Sequence, residues 1–151
     1  LVGSEMCIRD RCMLKRGMLN AQGKFLLART GHLDYLGITD AGFNIPEGIE
    51  VVDLAVKPNL PELLDVLDII KKEIAIEKIF LADKIVDYAP ELLKEYEKRF
   101  TKEKIEFIPD GQPFREKMKQ CKGVFRTGQY WLHCPNVIIQ AGCTYEEGYV
   151  D

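Results

Sequence analysis

The chain predicts a three-layer α/β/α fold, with a mixed, mostly parallel sheet of about six strands, on three observations. Short apolar runs alternate with amphipathic helical stretches from end to end. One run, Ile79-Phe80-Leu81-Ala82, is apolar without alternation, as a strand buried on both faces is. Turn chemistry separates the segments, notably Asp40-Ala41-Gly42 and Ile45-Pro46-Glu47-Gly48.

A first helix is expected from Ala21 to Ala28, with Phe25, Leu26 and Leu27 on its apolar side and Gly31 as its stop. Strands are expected at Leu36 to Thr39 and at Glu50 to Leu54. The second helix is the clearest. Asn59 and Pro61 mark its start, and Leu63, Leu67, Ile70 and Ile74 recur at helical spacing, with Leu64 and Val66 widening the stripe. After the apolar strand, Pro90 opens a third helix whose Leu92, Leu93, Tyr96 and Phe100 face inward while Lys94, Glu95, Glu97 and Lys98 face water. Ile105 to Ile108 reads as a strand, Phe114 to Cys121 as a short helix, and Val124 to Thr127 and Val137 to Gln140 as the last two strands. Between those lies an irregular loop, Gly128 to Pro135, holding Tyr130, Trp131, His133 and Cys134.

Length and composition bound the function. The 151 residues suit one domain. An apolar fraction of 46%, a charged fraction of 30% and a net charge of -3 describe a globular protein with no basic footprint for nucleic acid. No apolar run of about 18 residues or more offers a membrane span. Residues 1–12 fit poorly with the remainder of the chain: charges interrupt them, so they lack the apolar stretch of a signal peptide. They resemble translated sequencing-adapter read-through, so the domain is taken as 13–145, with 146–151 as a polar tail. Of the cysteines, Cys121, Cys134 and Cys143 remain. Their odd number, with no disulfide-like spacing, points to reduced thiols in a cytoplasm. No CxxC pair is present and two histidines are few for a zinc ligand set, so no metal is expected.

Ligands of open α/β sheets bind beyond the carboxyl ends of strands. Asp40 sits at such an end, and so does the loop from Gly128 to Asn136. His32, just before the first strand, can exchange protons near neutral pH. Each has a bland alternative: His32 as a residue closing a helix, Asp40 as an ordinary turn residue, Asn136 as a loop tie, Tyr130 and Trp131 as packing. Dinucleotide-binding and Walker glycine loops and a GxSxG elbow are missing. Asp40, Asp53 and Asp83 stand near strand ends without the paired acids of a phosphoacceptor site.

Taken together, several motifs resemble the D-ribose pyranase family, with fucose mutarotase as its sister, from about Met13 to Thr144. They are Gly31-His32-Leu33-Asp34, Asp40-Ala41-Gly42, Ile45-Pro46-Glu47-Gly48, Lys57-Pro58-Asn59-Leu60-Pro61, Arg126-Thr127-Gly128 and Asn136-Val137-Ile138-Ile139-Gln140-Ala141-Gly142. Singly they are weak; their order and spacing are specific, and nearer the ribose branch. The resemblance implies an isomerase that opens and recloses the ring of a free monosaccharide, without cofactor, in a ring-shaped homo-oligomer with sites near subunit contacts. His32 would be the acid/base, Asp40 a sugar-binding carboxylate, and Asn136 the Asn of a Tyr-x-Asn substrate motif. Three positions depart from the pattern. Gly111 stands where the family usually has a second histidine, Cys134 replaces the Tyr of Tyr-x-Asn, and Gln129 replaces a Glu. His133, beside the altered tyrosine position, is expected to take over a lost polar contact. A non-catalytic sugar-binding or transport-accessory protein is the rival reading, and a ligand-free ring-forming protein a third.

Overall fold

The computed structural model describes residues 13–145; the expected leader, 1–12, and tail, 146–151, lie outside the described residues. Helix α1 spans Ala21–Arg29, with the Asn20 side chain accepting from Gly23 N at 2.9 Å as its N-cap. Strands β1 (Tyr35–Thr39) and β2 (Glu50–Asp53) precede helix α2 (Leu63–Glu73). Strand β3 (Ile76–Ala82) leads into a short helix α3 (Ile85–Tyr88), helix α4 (Pro90–Arg99) and a 3₁₀ turn (Lys102–Lys104). Strand β4 (Ile105–Ile108), helix α5 (Gln112–Met118) and strands β5 (Gly123–Arg126) and β6 (Val137–Ala141) complete the order.

The six strands form one sheet in the order β2-β5-β1-β6-β3-β4. The β2–β5, β5–β1 and β3–β4 pairs are parallel, whereas β6 runs antiparallel to both β1 and β3. Five strands therefore point one way and the inserted β6 points the other. The two faces are unequal. Leu26, Leu27, Leu63, Leu67, Ile70, Tyr96 and Phe100 pack from α1, α2 and α4 onto Leu36, Ile38, Ile79, Leu81, Phe125 and Ile139, the main core. The opposite face holds a smaller cluster, where Phe114 and Met118 of α5 meet Phe80, Val124 and Ile138. A side chain at Gly37 would collide with Met118 Sδ, so the missing Cβ is what lets α5 sit on β1.

The layered, mostly parallel sheet is as expected, with local differences. Phe25 is exposed and lies against the Arg29 guanidinium, not the core. Asn59 and Pro61 do not start α2. Asn59 has a left-handed backbone in the preceding turn, and Glu62 is the N-cap, its side chain accepting from the backbone of Asp65. Strand β3 begins three residues earlier than its apolar run, because β6 supplies partners back to Ile76. Helix α3 was hidden by its length of four residues.

Gln129 secures the start of α2. It is 9% exposed, and its Oε1 accepts from Leu63 N at 3.1 Å, one of the amides a helix leaves without an internal partner. A neutral amide does this without burying a charge. Gln129→Ala is expected to lower stability by about 1–3 kcal/mol, the cost of stranding a buried donor, read from the urea unfolding midpoint.

Candidate functional site

The parallel strands β1, β3, β4 and β5 all deliver their carboxyl ends to one edge of the sheet, and β6, running the other way, begins at that edge. Asn136, immediately before β6, thus stands beside Asp40, immediately after β1. Its Oδ1 accepts from Asp40 N at 2.7 Å. With the carbonyl end occupied, the amide nitrogen is what Asn136 can offer a ligand. Asp40, Asn136, Asp110, Gly111 and Arg115 line an open cleft of about 540 Å³.

Polar groups are left unpaired there. Among the described residues, the buried side-chain atoms without a hydrogen-bond partner are Asp40 Oδ1, Arg115 Nε and Thr39 Oγ1. Two belong to residues lining the cleft, and the third to Asp40's neighbour. Folding normally satisfies such atoms, so a cluster of them at one cleft marks a place for a polar ligand. Burial raises the Asp40 pKa above the ordinary aspartate range. The backbone amides of Phe43 and Gly42, then the charges of Arg126 and His133, act against that shift. Thr127 Oγ1 donates to Thr39 O at 2.7 Å, and Arg126 Nε to Ala41 O at 3.0 Å, so the last residue of β5 and the one after it hold both sides of Asp40.

The loop before β6 brings Cys134 and His133 to the same edge. Cys134 has a left-handed backbone. Burial, then the nearby Asp110, Asp40 and Asp83, push its thiol up to about 11, so it is a neutral thiol at neutral pH. His133 acts on the Asp40 carboxyl through its charge and rests against the Tyr88 ring, 5.7 Å between centroids. The loop is anchored from below: the phenol of fully buried Tyr96 donates to Pro135 O at 2.6 Å. Trp131 and Tyr130 pack edge-on at 5.0 Å, and Trp131 is 80% exposed.

Asp40, Asn136, Gly111, Cys134 and His133 therefore lie at one edge of the sheet. His32 does not join them within the chain. It lies in the turn before β1, at the opposite edge, and the five residues of β1 alone hold the two places roughly 16 Å apart. The carboxylate beside His32 is Glu77, not Asp40, at 3.4 Å from His32 Nε2, with both side chains about half exposed. His32 borders a second hollow of about 400 Å³ with Gly142, Cys143 and Thr144. Sequence reading missed Glu77, Arg115, Asp110 and Tyr96. Asp110-Gly111 after β4 was a legible turn signal; the others are indistinguishable from surface charges or core aromatics until the chain folds.

A mixed sheet with a ligand cleft at its carboxyl edge is the architecture of an α/β small-molecule-binding protein. Comparison places it further. Residues 13–144 match the RbsD / FucU transport protein family, and the chain belongs to that family. It is 36% identical to the D-ribose pyranase of Lactobacillus gasseri over 133 residues, covering 88% of this chain and 100% of that one. With the D-ribose pyranase of Bacillus cereus the identity is 37% over the same coverage. The structure of Bacillus subtilis RbsD complexed with D-ribose superposes with a TM-score of 0.81 at 36% identity, covering 87% of this chain and 98% of that one. A Streptococcus pneumoniae fucose mutarotase in complex with L-fucose shares the fold, with a TM-score of 0.65 at 17% identity over 82% and 93% of the two chains.

Tyr96 positions the cleft through the main chain, since Pro135 precedes the residue that holds Asp40. Tyr96→Phe is expected to cost about 1–3 kcal/mol by stranding the Pro135 carbonyl. The Asp40 amide should then exchange with solvent faster than in the parent protein, a local loosening that NMR hydrogen exchange separates from global destabilisation.

Proposed function

We propose that the chain is a monosaccharide isomerase of the D-ribose pyranase type, interconverting pyranose and furanose forms of a free aldose by acid/base ring opening. The observation that carries this reading is the cluster of unpaired buried polar atoms at the Asp40–Asn136 cleft, in a chain aligned along nearly its whole domain with D-ribose pyranases. Ring interconversion needs one group to take the anomeric hydroxyl proton and another to protonate the ring oxygen; a different hydroxyl then adds to the aldehyde. Each step moves a proton, and positioned acid/base groups accelerate such steps by roughly 10²–10⁴-fold. In this reading His32 protonates the ring oxygen and recovers its proton in the reverse direction. Asp40 accepts from sugar hydroxyls and Asn136 donates to them, while His133 and the Cys134 thiol border the bound sugar at the positions where the family pattern is broken.

The separation of His32 from the cleft favours a composite site. His32 is half exposed at one edge, and the cleft opens at the other. A contact that seats the His32 edge of one copy on the Asp40 edge of the next is heterologous, and heterologous contacts generate rings when the rotation closes. We therefore read the active unit as a ring of identical chains. Among the described residues no helix is long and apolar enough to cross a membrane. Unpaired Cys121, Cys134 and Cys143 support a cytoplasmic setting.

The test is NMR magnetisation exchange between the ring forms of D-ribose. The parent protein should accelerate exchange, and His32→Ala and Asp40→Asn should each abolish the acceleration. Co-refolding the two variants should return roughly a quarter of parental activity, because random assembly pairs an intact His32 with an intact Asp40 in that share of contacts. No recovery would sink the composite site, and binding without acceleration would favour the sugar-binding, transport-accessory reading.

Asp40 also sets a pH dependence. Only its ionised form is a pure acceptor for sugar hydroxyls. Its raised pKa means that it takes up a proton at a higher pH than an ordinary aspartate as the solution is acidified. Affinity should therefore fall as pH drops through that elevated value, and titration calorimetry of Asp40→Asn should show the slope flattened.

A further inference from the structure

Two backbone irregularities meet at the His32 edge of the sheet. Ile76 and Ile79 both pack in the main core. A regular strand, with its period of two, would send residues an odd number of positions apart to opposite faces. The ladder shows how β3 avoids this. Ile76 pairs with Ala141 and Lys78 with Gln140, so Glu77 is an extra residue with no partner of its own, a β-bulge. Bulges re-aim the side chains they carry. This one carries the carboxylate that lies 3.4 Å from His32 Nε2.

The imidazole is held from the other side of Ala141. Leu33 has a left-handed backbone, with φ 71, uncommon for a leucine. Its N donates to Ala141 O at 2.9 Å, and Ala141 N donates to Asp34 O at 2.9 Å. The next residue, Gly142, donates from N to Ala75 O at 2.8 Å. A Cβ on Gly142 would stand 3.3 Å from Glu77 N, so the missing side chain lets the end of β6 run close against the bulge. His32 and Glu77 are thus tied to the same short piece of backbone. An exposed ion pair between free side chains is worth little. Two backbone distortions that converge on one such pair point to a role other than stability.

Resting on the isomerase reading above, we propose that Glu77 is a positioning residue that acts through His32. Its carboxylate accepts from Nε2–H and leaves Nδ1 to face the sugar, which fixes the tautomer and the orientation of the ring. Glu77 itself neither gives nor takes a proton. Doubly protonated His32 passes its Nδ1 proton to the ring oxygen. The bond from C1 to that oxygen breaks, and the anomeric hydroxyl becomes the aldehyde as its proton leaves to the second group. His32 is then neutral, with Nε2–H still held. The 3.4 Å separation is longer than a formed charge-assisted bond, and it closes as the sugar binds. In the ring the next copy covers this edge, and loss of water strengthens the contact.

The experiment uses the full chain and two readouts. First, kcat and KM for ring-form exchange of D-ribose are measured by NMR for the parent, Glu77→Ala and Glu77→Gln. Glu77→Ala should lower kcat about tenfold or more, as the loss of one charge-assisted hydrogen bond does, with KM changed less than about threefold. Glu77→Gln, whose amide oxygen can still accept from Nε2–H, should restore part of kcat. Second, nitrogen-15 NMR reads the imidazoles. The chain has 2 histidines, so His32→Ala assigns the signals. Neutral His32 in the parent should show Nε2 protonated and Nδ1 bare. Glu77→Ala should move both His32 nitrogens toward the average of freely exchanging tautomers and leave His133 unmoved. Parental kcat in Glu77→Ala overturns the role and leaves the isomerase reading intact. A fall in kcat with unmoved His32 nitrogens overturns it too, since Glu77 would then act on the fold or the assembly. So does a raised KM with kcat kept, which would place Glu77 on the sugar. Absence of acceleration by the parent removes the isomerase reading, and this role with it.

Discussion

The antiparallel insertion of β6 between β1 and β3 is the constraint on which the cleft depends. In an all-parallel sheet every carboxyl end lies at one edge and every amino end at the other. Reversing one central strand breaks that rule once, and brings the residue before β6 to the edge where β1 ends. The Asn136 Oδ1 to Asp40 N bond is the local result. Because β6 is buried, with Val137, Ile138 and Ile139 fully enclosed, its register is held by packing on both faces. Asp40 and Asn136 thus inherit their positions from the core.

Around that pair the protein holds several groups in states that stability alone would not favour. Asp40 Oδ1, Thr39 Oγ1 and Arg115 Nε are buried without partners, Asp40 is protonated more readily than an exposed aspartate, and Cys134 has a left-handed backbone. Each is a small cost, and they fall together at one edge. The rest of the structure is conventional by comparison: α2 begins at a satisfied capping box, and Arg99 makes a paired contact to Asp68 at 2.6 and 2.9 Å. Concentrated dissatisfaction beside ordinary satisfaction is what separates a binding cleft from a surface depression.

Strand length explains the distance between His32 and Asp40. His32 and Asp40 are eight positions apart in sequence, but an extended strand lies between them, and side chains at its two ends cannot meet. Glu77 is near His32 because β3 begins at the same edge where β6 ends. The unpaired polar atoms of the cleft thus lie at one edge of the sheet, and the imidazole with its carboxylate at the other.

The sequence alone determined the alternation of strands and helices, because apolar period and turn chemistry are local properties that survive without knowledge of packing. It also singled out Asp40 and the Gly128–Asn136 loop, since turn residues at strand ends are legible and sheet geometry says where ligands bind, whereas Gly111 and Cys134 were marked only by the resemblance to a family pattern. The order of the six strands and the reversal of β6 were settled only by tertiary structure, because pairing partners distant in sequence leave no local signature. Burial decided the roles of Tyr96, Gln129 and Arg115, whose hydrogen bonds or lack of them exist only once the core excludes water. The distance between His32 and Asp40 belongs to the same class: sequence separation is short, but the extended backbone between them makes the spatial separation long.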